Sequence, residues 1–154
     1  MARVNLRRRL RSESGAELIE TALTLPLLLL VVVGIIEFGF VFQKYEVITN
    51  AAREGARVLV LPAFGPADAQ TRVNQYLTAA GLDPGQATVP LPGAPTTTSL
   101  GGSCISTITV TVSYPHQAPF LTGITSYFGG SLGNFTLNAS STMRTEVAAG
   151  ACPP

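Results

Sequence analysis

The sequence predicts an α+β fold: a long N-terminal helix, a second short helix and a small antiparallel sheet of about three strands. Three observations carry this. Residues 16–60 keep a helical pattern that only Pro26 interrupts. A shorter stripe of Val73, Tyr76, Leu77 and Ala80 repeats at helical spacing. Beyond LDPG at 82–85 the texture changes to alternating threonines and aliphatics, the pattern of half-buried strands.

The long helix has two halves. From Ala22 to Phe42 the chain reads ALTLPLLLLVVVGIIEFGFVF, 21 residues with one charge, Glu37. That run makes roughly 31 Å of helix, the thickness of a bilayer's hydrocarbon core. It is too long for a signal-peptide core, and no A-x-A cleavage site follows it. Ahead of it Arg3, Arg7, Arg8, Arg9 and Arg11 supply five of the ten basic residues. Such charge before an apolar span holds the N-terminus in the cytoplasm. The expected organisation is a basic leader at 1–15, a transmembrane helix at 16–42 and an extracytoplasmic α+β domain at 43–154. The chain then crosses the cytoplasmic membrane once. Pro26 has no N–H for the Ala22 carbonyl, so a kink is expected there.

The second half of the helix is amphipathic and contains NAAREGAR at 50–57. Ala52 and Ala56 are four apart, as are Ala51 and Gly55, so one side is nearly bare backbone. Such a face suits close packing against the sheet or a neighbouring subunit. Arg53 and Arg57 form a basic ridge, with Glu54 placed to offset Arg57.

Pro62 and Gly65-Pro66 end the first helix, and Pro66 opens a second that runs to about Ala80, with Gly81 as its cap. ATVPL at 87–91 reads as a short edge strand, because Pro90 cannot donate to a ladder. PGAPTTTSLGGS at 92–103 reads as a loop. ISTITVTVSY at 105–114 puts Ile108, Val110, Val112 and Tyr114 on one face. NFTLNASSTMRTEV at 134–147 turns Phe135, Leu137, Ala139 and Met143 inward. The connection at 117–133 is apolar and glycine-rich, and reads as a helical turn or a docking surface.

Chemistry is sparse. The formal net charge is +1, and from Lys44 onward five basic and five acidic residues cancel. A near-neutral body excludes nucleic acid as a partner. No nucleophile elbow, metal-binding or phosphate-binding motif is present, so no catalytic residue, metal or cofactor is expected. His116, the one histidine, reads as an exposed loop residue after Pro115. Two sequons, at Asn134 and Asn138, fall on a strand pattern that creates such matches by chance. Cys104 and Cys152 both lie in the part expected outside, where an even count favours a disulfide. That bridge would close a loop of 47 intervening residues, worth about 4 kcal/mol in the chain-entropy model. Two buried thiols are the alternative.

One stretch remains, GAELIETALTLP at 15–26, which sets Glu17 and Glu20 at the lip of the apolar run. A carboxylate in a membrane needs a partner. A cut between Gly15 and Ala16 would supply an α-amine and make Glu20 the fifth residue of the mature chain. Glu20 of one subunit could then pair with the amine of the next, each charge offsetting the desolvation of the other. The alternative is that both glutamates reach back to the cytoplasmic headgroups.

Basic leader, glycine, glutamate five residues on and a long apolar helix resemble the prepilin pattern of the type IV pilin superfamily. More narrowly, GAELIETALTLPLLLLVVVGIIEFGFVF and NAAREGARV resemble the TadE-like pseudopilins of the tight-adherence (Flp, type IVc) pilus, and ASSTMRTE at 139–146 is similar to that family's closing strand. The resemblance implies a minor pilin-like subunit rather than an enzyme, one that acts in pilus assembly or priming. It also implies maturation by a prepilin peptidase at Gly15–Ala16, and other pilins and pseudopilins as partners in the membrane and the extracellular pilus. Thr21 follows Glu20 where the family's major pilins carry an aromatic residue. The chain also exceeds those pilins in size, which implies the minor role. A different class of reading is an uncleaved, membrane-anchored binding module, for which Glu20 would be dispensable.

Overall fold

The computed structural model describes residues 13–100, 103–127, 129–130 and 133–145. The leader arginines, the last residues of the closing strand pattern and Cys152 lie outside the described residues. The chain divides into two compact units, Met1–Gly39 and Phe40–Pro154.

One helix, α1 (Glu13–Leu59), passes through the boundary between them. Pro26 lies inside α1 without ending it. In the first unit almost every described side chain is exposed, including Leu18, Leu23, Leu27 and Phe38, whereas Glu37 is buried. The span Gly15–Leu59 is long and apolar enough to cross a membrane, and only 6% of its most apolar window is buried. A helix apolar on all sides and uncovered by its own chain is what hydrocarbon surroundings suit.

The second unit is α+β. From α1 it takes a stripe of Ile48, Ala51, Ala52, Ala56 and Leu59, all buried. Helix α2 (Pro66–Ala79) adds Ala69, Val73 and Leu77 at four-residue spacing. The start of α2 follows from Pro66 at its first position and from Asp68, whose Oδ2 accepts the Gly65 N–H at 2.8 Å. At its other end Gly81 has φ +78°. The Leu82 N–H donates to the Leu77 carbonyl and the Gly81 N–H to the Thr78 carbonyl, at 2.9 and 3.0 Å. That is a Schellman ending, which needs a residue with positive φ. An added Cβ at Gly81 would meet nothing within 4 Å, so Gly81→Ala loses only backbone energy. The expected destabilisation is about 1–2 kcal/mol, read as a lower denaturant midpoint of the full chain in detergent.

Three strands, β1 (Thr96–Leu100), β2 (Ser103–Gln117) and β3 (Asn134–Thr145), form an antiparallel sheet in the order β1-β2-β3. Its composition corrects the sequence reading in two places. Residues 96–100, expected in a loop, form β1, paired from Thr96↔Thr107 to Leu100↔Ser103. Residues 87–91, expected as a strand, contribute only the bridge Thr88↔Ser113 beside β2. The prolines at 90 and 92 explain the second, since each removes a ladder donor. The β-branched run TTT explains the first.

Strand β2 alternates as expected, with Ile108, Val110, Val112 and Tyr114 buried. Its polar face is joined to β3 by directly opposed pairs. Thr109 and Thr142 hydroxyls lie 2.8 Å apart, and Ser113 Oγ donates to Asn138 Oδ1 at 2.6 Å. Of the inward set expected on β3, Leu137 and Ala139 are buried and Met143 is partly so, while Phe135 is exposed. Between β2 and β3 the glycine-rich connection holds a helix, α3 (Pro119–Tyr127).

Candidate functional site: the long helix and what packs on it

The functional candidates fall at two places along α1. Near its start Gly15 is half-buried, and Ala16, Glu17 and Glu20 are exposed. Glu20 sits in regular helix, where its carbonyl oxygen accepts the Thr24 hydroxyl at 2.9 Å. Among the described residues its carboxylate takes part in no ion pair. Around it Leu18, Ile19 and Leu23 are exposed. The first turns of α1 therefore present a carboxylate on an apolar rod, able to accept a cationic partner.

The second place is NAAREGAR, where Ala51, Ala52, Gly55 and Ala56 face inward and are buried. At Gly55 α1 comes close to its neighbours. A Cβ built there would lie 2.6 Å from Val73 Cγ2 of α2 and 3.2 Å from Val110 Cγ1 of β2. Small residues at this point let both elements close on the helix backbone. On the outer side of the same turn Arg53 and Arg57 are exposed. Arg53 Nη1 donates to Asn50 Oδ1 at 3.3 Å. Glu54 reaches Arg57 only at 4.0 Å and binds Arg72 of α2 at 3.1 Å. The closer pair was invisible in the sequence, because it joins two helices.

His116 is corrected outright. It is not a loop residue but the last inward position of β2, 2% exposed, with its ring 5.1 Å from that of Phe135. The signal was present: burial at 108, 110, 112 and 114 continues to 116 through Pro115. Proline is tolerated there because Ser113 exchanges both main-chain hydrogen bonds with Thr88. Odd-numbered residues of β2 thus turn their main-chain groups away from β3, and Pro115 deprives that ladder of nothing.

A cavity of about 390 Å³ lies beside His116, between residues 40–47 of α1, the end of α2 and the start of α3. Among the described residues that line it the one charged side chain is Lys44, whose Nζ stands 5.8 Å from the centroid of the Tyr114 ring. Among the described residues no group of three His, Cys, Asp or Glu side chains is placed to hold a metal ion. Cys104, at the start of β2, is exposed and opposite Ser99.

A family model described as TadE-like protein matches residues 15–57. Comparison with curated proteins and with solved structures returns no match. The matched segment begins at Gly15, includes Glu20 and ends at Arg57, so it takes in both places on α1 and stops before the sheet. Over those residues, and not beyond them, the long helix is similar to that of TadE-like proteins.

Proposed function

We propose that the protein is a minor pilin-like subunit that acts in assembly or priming of a tight-adherence pilus. The observation that carries this is the coincidence of the family match with α1, from the Gly15–Ala16 pair through Glu20 to the small-residue stretch. Cleavage by a prepilin peptidase at Gly15–Ala16 removes the leader arginines and creates the amine that Glu20 of a neighbouring subunit pairs with. The apolar first half of α1 sits in the cytoplasmic membrane with its N-terminus inside. From there it packs among the helices of other pilins and pseudopilins. The second unit lies outside and limits how many copies a filament accepts, because it is far bulkier than a helix. Cys104 and Cys152 form a disulfide that ties the C-terminal tail to β2. In support, no described cysteine is free, and Cys152 is the only other one in the chain.

The test is the N-terminus of the full chain made with and without a matching prepilin peptidase, read by intact mass and terminal sequencing. A chain starting at Ala16 only when the peptidase is present is expected. Retention of the leader in both preparations would sink processing and favour the uncleaved, membrane-anchored binding module.

A further inference from the structure

Helix α3 has a composition that water does not favour. Its nine residues, PFLTGITSY, include no charge. Phe120 and Leu121, in its first turn, are 48% and 37% exposed. Its position in the second unit is fixed by Pro119, which lines the same cavity as Phe40, Gln43 and Lys44 of α1. Those α1 residues bracket the point where the apolar run stops: Phe42 is its last member, and Gln43 and Lys44 are the first polar side chains after it.

We infer that α3 rests on the membrane surface, with Phe120 and Leu121 inserted in the interfacial layer of the lipid. The inference depends on the reading of α1 as a membrane span. A span that ends at Phe42 puts Phe40 at the edge of the hydrocarbon and Lys44 among the headgroups. Pro119 is then level with them, and the exposed pair follows it directly in the chain. At the same height α1 itself exposes Phe42 and Tyr45, which adds to an aromatic belt of the kind found where membrane proteins meet water. The Lys44 ammonium, held over the Tyr114 ring, supplies a cation for lipid phosphate. A short uncharged helix with its apolar side chains at this level behaves as an interfacial element rather than a second span. Another protein could cover the same patch. The adjacency to Phe40 and Lys44 favours lipid, because the surface next to a span is already occupied by headgroups.

The chain has no tryptophan, so Phe120→Trp introduces a single reporter, and Leu121→Trp provides a second at the same site. Phe38→Trp reports the span, and Phe64→Trp, beyond the far end of α1, reports the aqueous side. Each full chain is reconstituted in vesicles of phosphatidylcholine and phosphatidylglycerol, with and without lipid brominated near the top of the acyl chain. Unchanged far-UV circular dichroism shows that the variants are folded. Emission from F38W and from F120W or L121W is expected to be blue-shifted and largely lost to the brominated lipid, with F64W unaffected. If F38W is quenched while F120W and L121W behave like F64W, α3 does not touch lipid and the inference fails with the span intact. Reporters at 120 and 121 that are spared by the lipid and also shielded from aqueous iodide would overturn it in favour of a protein cover. If F38W is not quenched either, the membrane reading and the inference fall together.

Discussion

Gly55→Leu is expected to prevent the second unit from reaching its folded state. Even a methyl group at this position meets Val73 Cγ2 at 2.6 Å and Val110 Cγ1 at 3.2 Å. Both valines are buried, at 0% and 1% exposure, and β-branched side chains have little freedom to turn away. For Gly55→Ala two effects compete. Alanine is the better helix residue by about 1 kcal/mol, while overpacking a closed core costs about 1–3 kcal/mol. Alanine should therefore lower stability by up to about 2 kcal/mol. Leucine adds three more carbons to the same space and exceeds that range, a large part of the 5–15 kcal/mol typical of a whole domain. Gly39→Ala is the control, because a Cβ there meets nothing within 4 Å, and it is expected to be neutral or slightly stabilising. Near-UV circular dichroism of the full chain in detergent reads the outcome through packed tyrosines such as Tyr114. A native spectrum and an unchanged denaturant midpoint for G55L would show that α1 does not close on α2 and β2 at this residue.

Glu20→Ala is expected to abolish incorporation of the protein into pilus assemblies while leaving its insertion into the membrane intact. A lone carboxylate in the centre of a bilayer costs about 2.5–3.5 kcal/mol, so a chain used only as an anchor would insert at least as well with alanine. In an assembly the balance reverses. Breaking a buried ion pair by removing one partner costs about 3–5 kcal/mol, which lowers an association constant by about a hundredfold or more. Glu17→Ala, at the same lip, is expected to have a much smaller effect, since the proposed cleavage would make it the second residue of the chain and set it beside its own amine. Co-purification of the mature chain with its partner pilins measures the difference. Equal recovery of E20A and the unchanged protein would leave Glu20 without an assembly role.

The helices were legible because their signals are local. Pro66 at the opening of α2, Gly81 at its close and the apolar run of α1 each act within a turn or two of chain, and the boundaries fell within a few residues of those expected. The sheet was legible only where alternation was long, in β2 and β3. Strand β1 reads as a loop because its neighbourhood is rich in proline and glycine, although TTTSL followed by Gly101-Gly102 is itself a hairpin signal. His116 reads as a loop residue only if Pro115 ends the strand, and what decides that is which side the missing donor faces. Glu20 and the small-residue stretch stood out because each breaks a local rule, a charge beside hydrocarbon and a glycine inside a helix. Glu54–Arg72 and the position of α3 beside residues 40–47 depend on how separate elements meet, which no spacing along the chain encodes.

The small-residue face of α1 also bears on the order in which the chain is made. Ala51, Ala52, Gly55 and Ala56 leave the ribosome before the segments that cover them, and Val110 follows only after α2 and β1 have been synthesised. For that interval the face has no cover. A stripe of leucine or isoleucine would offer a sticky surface to any other nascent chain, and β-branched residues there would add aggregation-prone strand propensity. Alanine and glycine bury little area by themselves, so the waiting helix has little to attract a wrong partner. Most of the apolar weight of that contact arrives later, on Val73, Leu77, Val110 and Val112, as the folded unit closes around the helix.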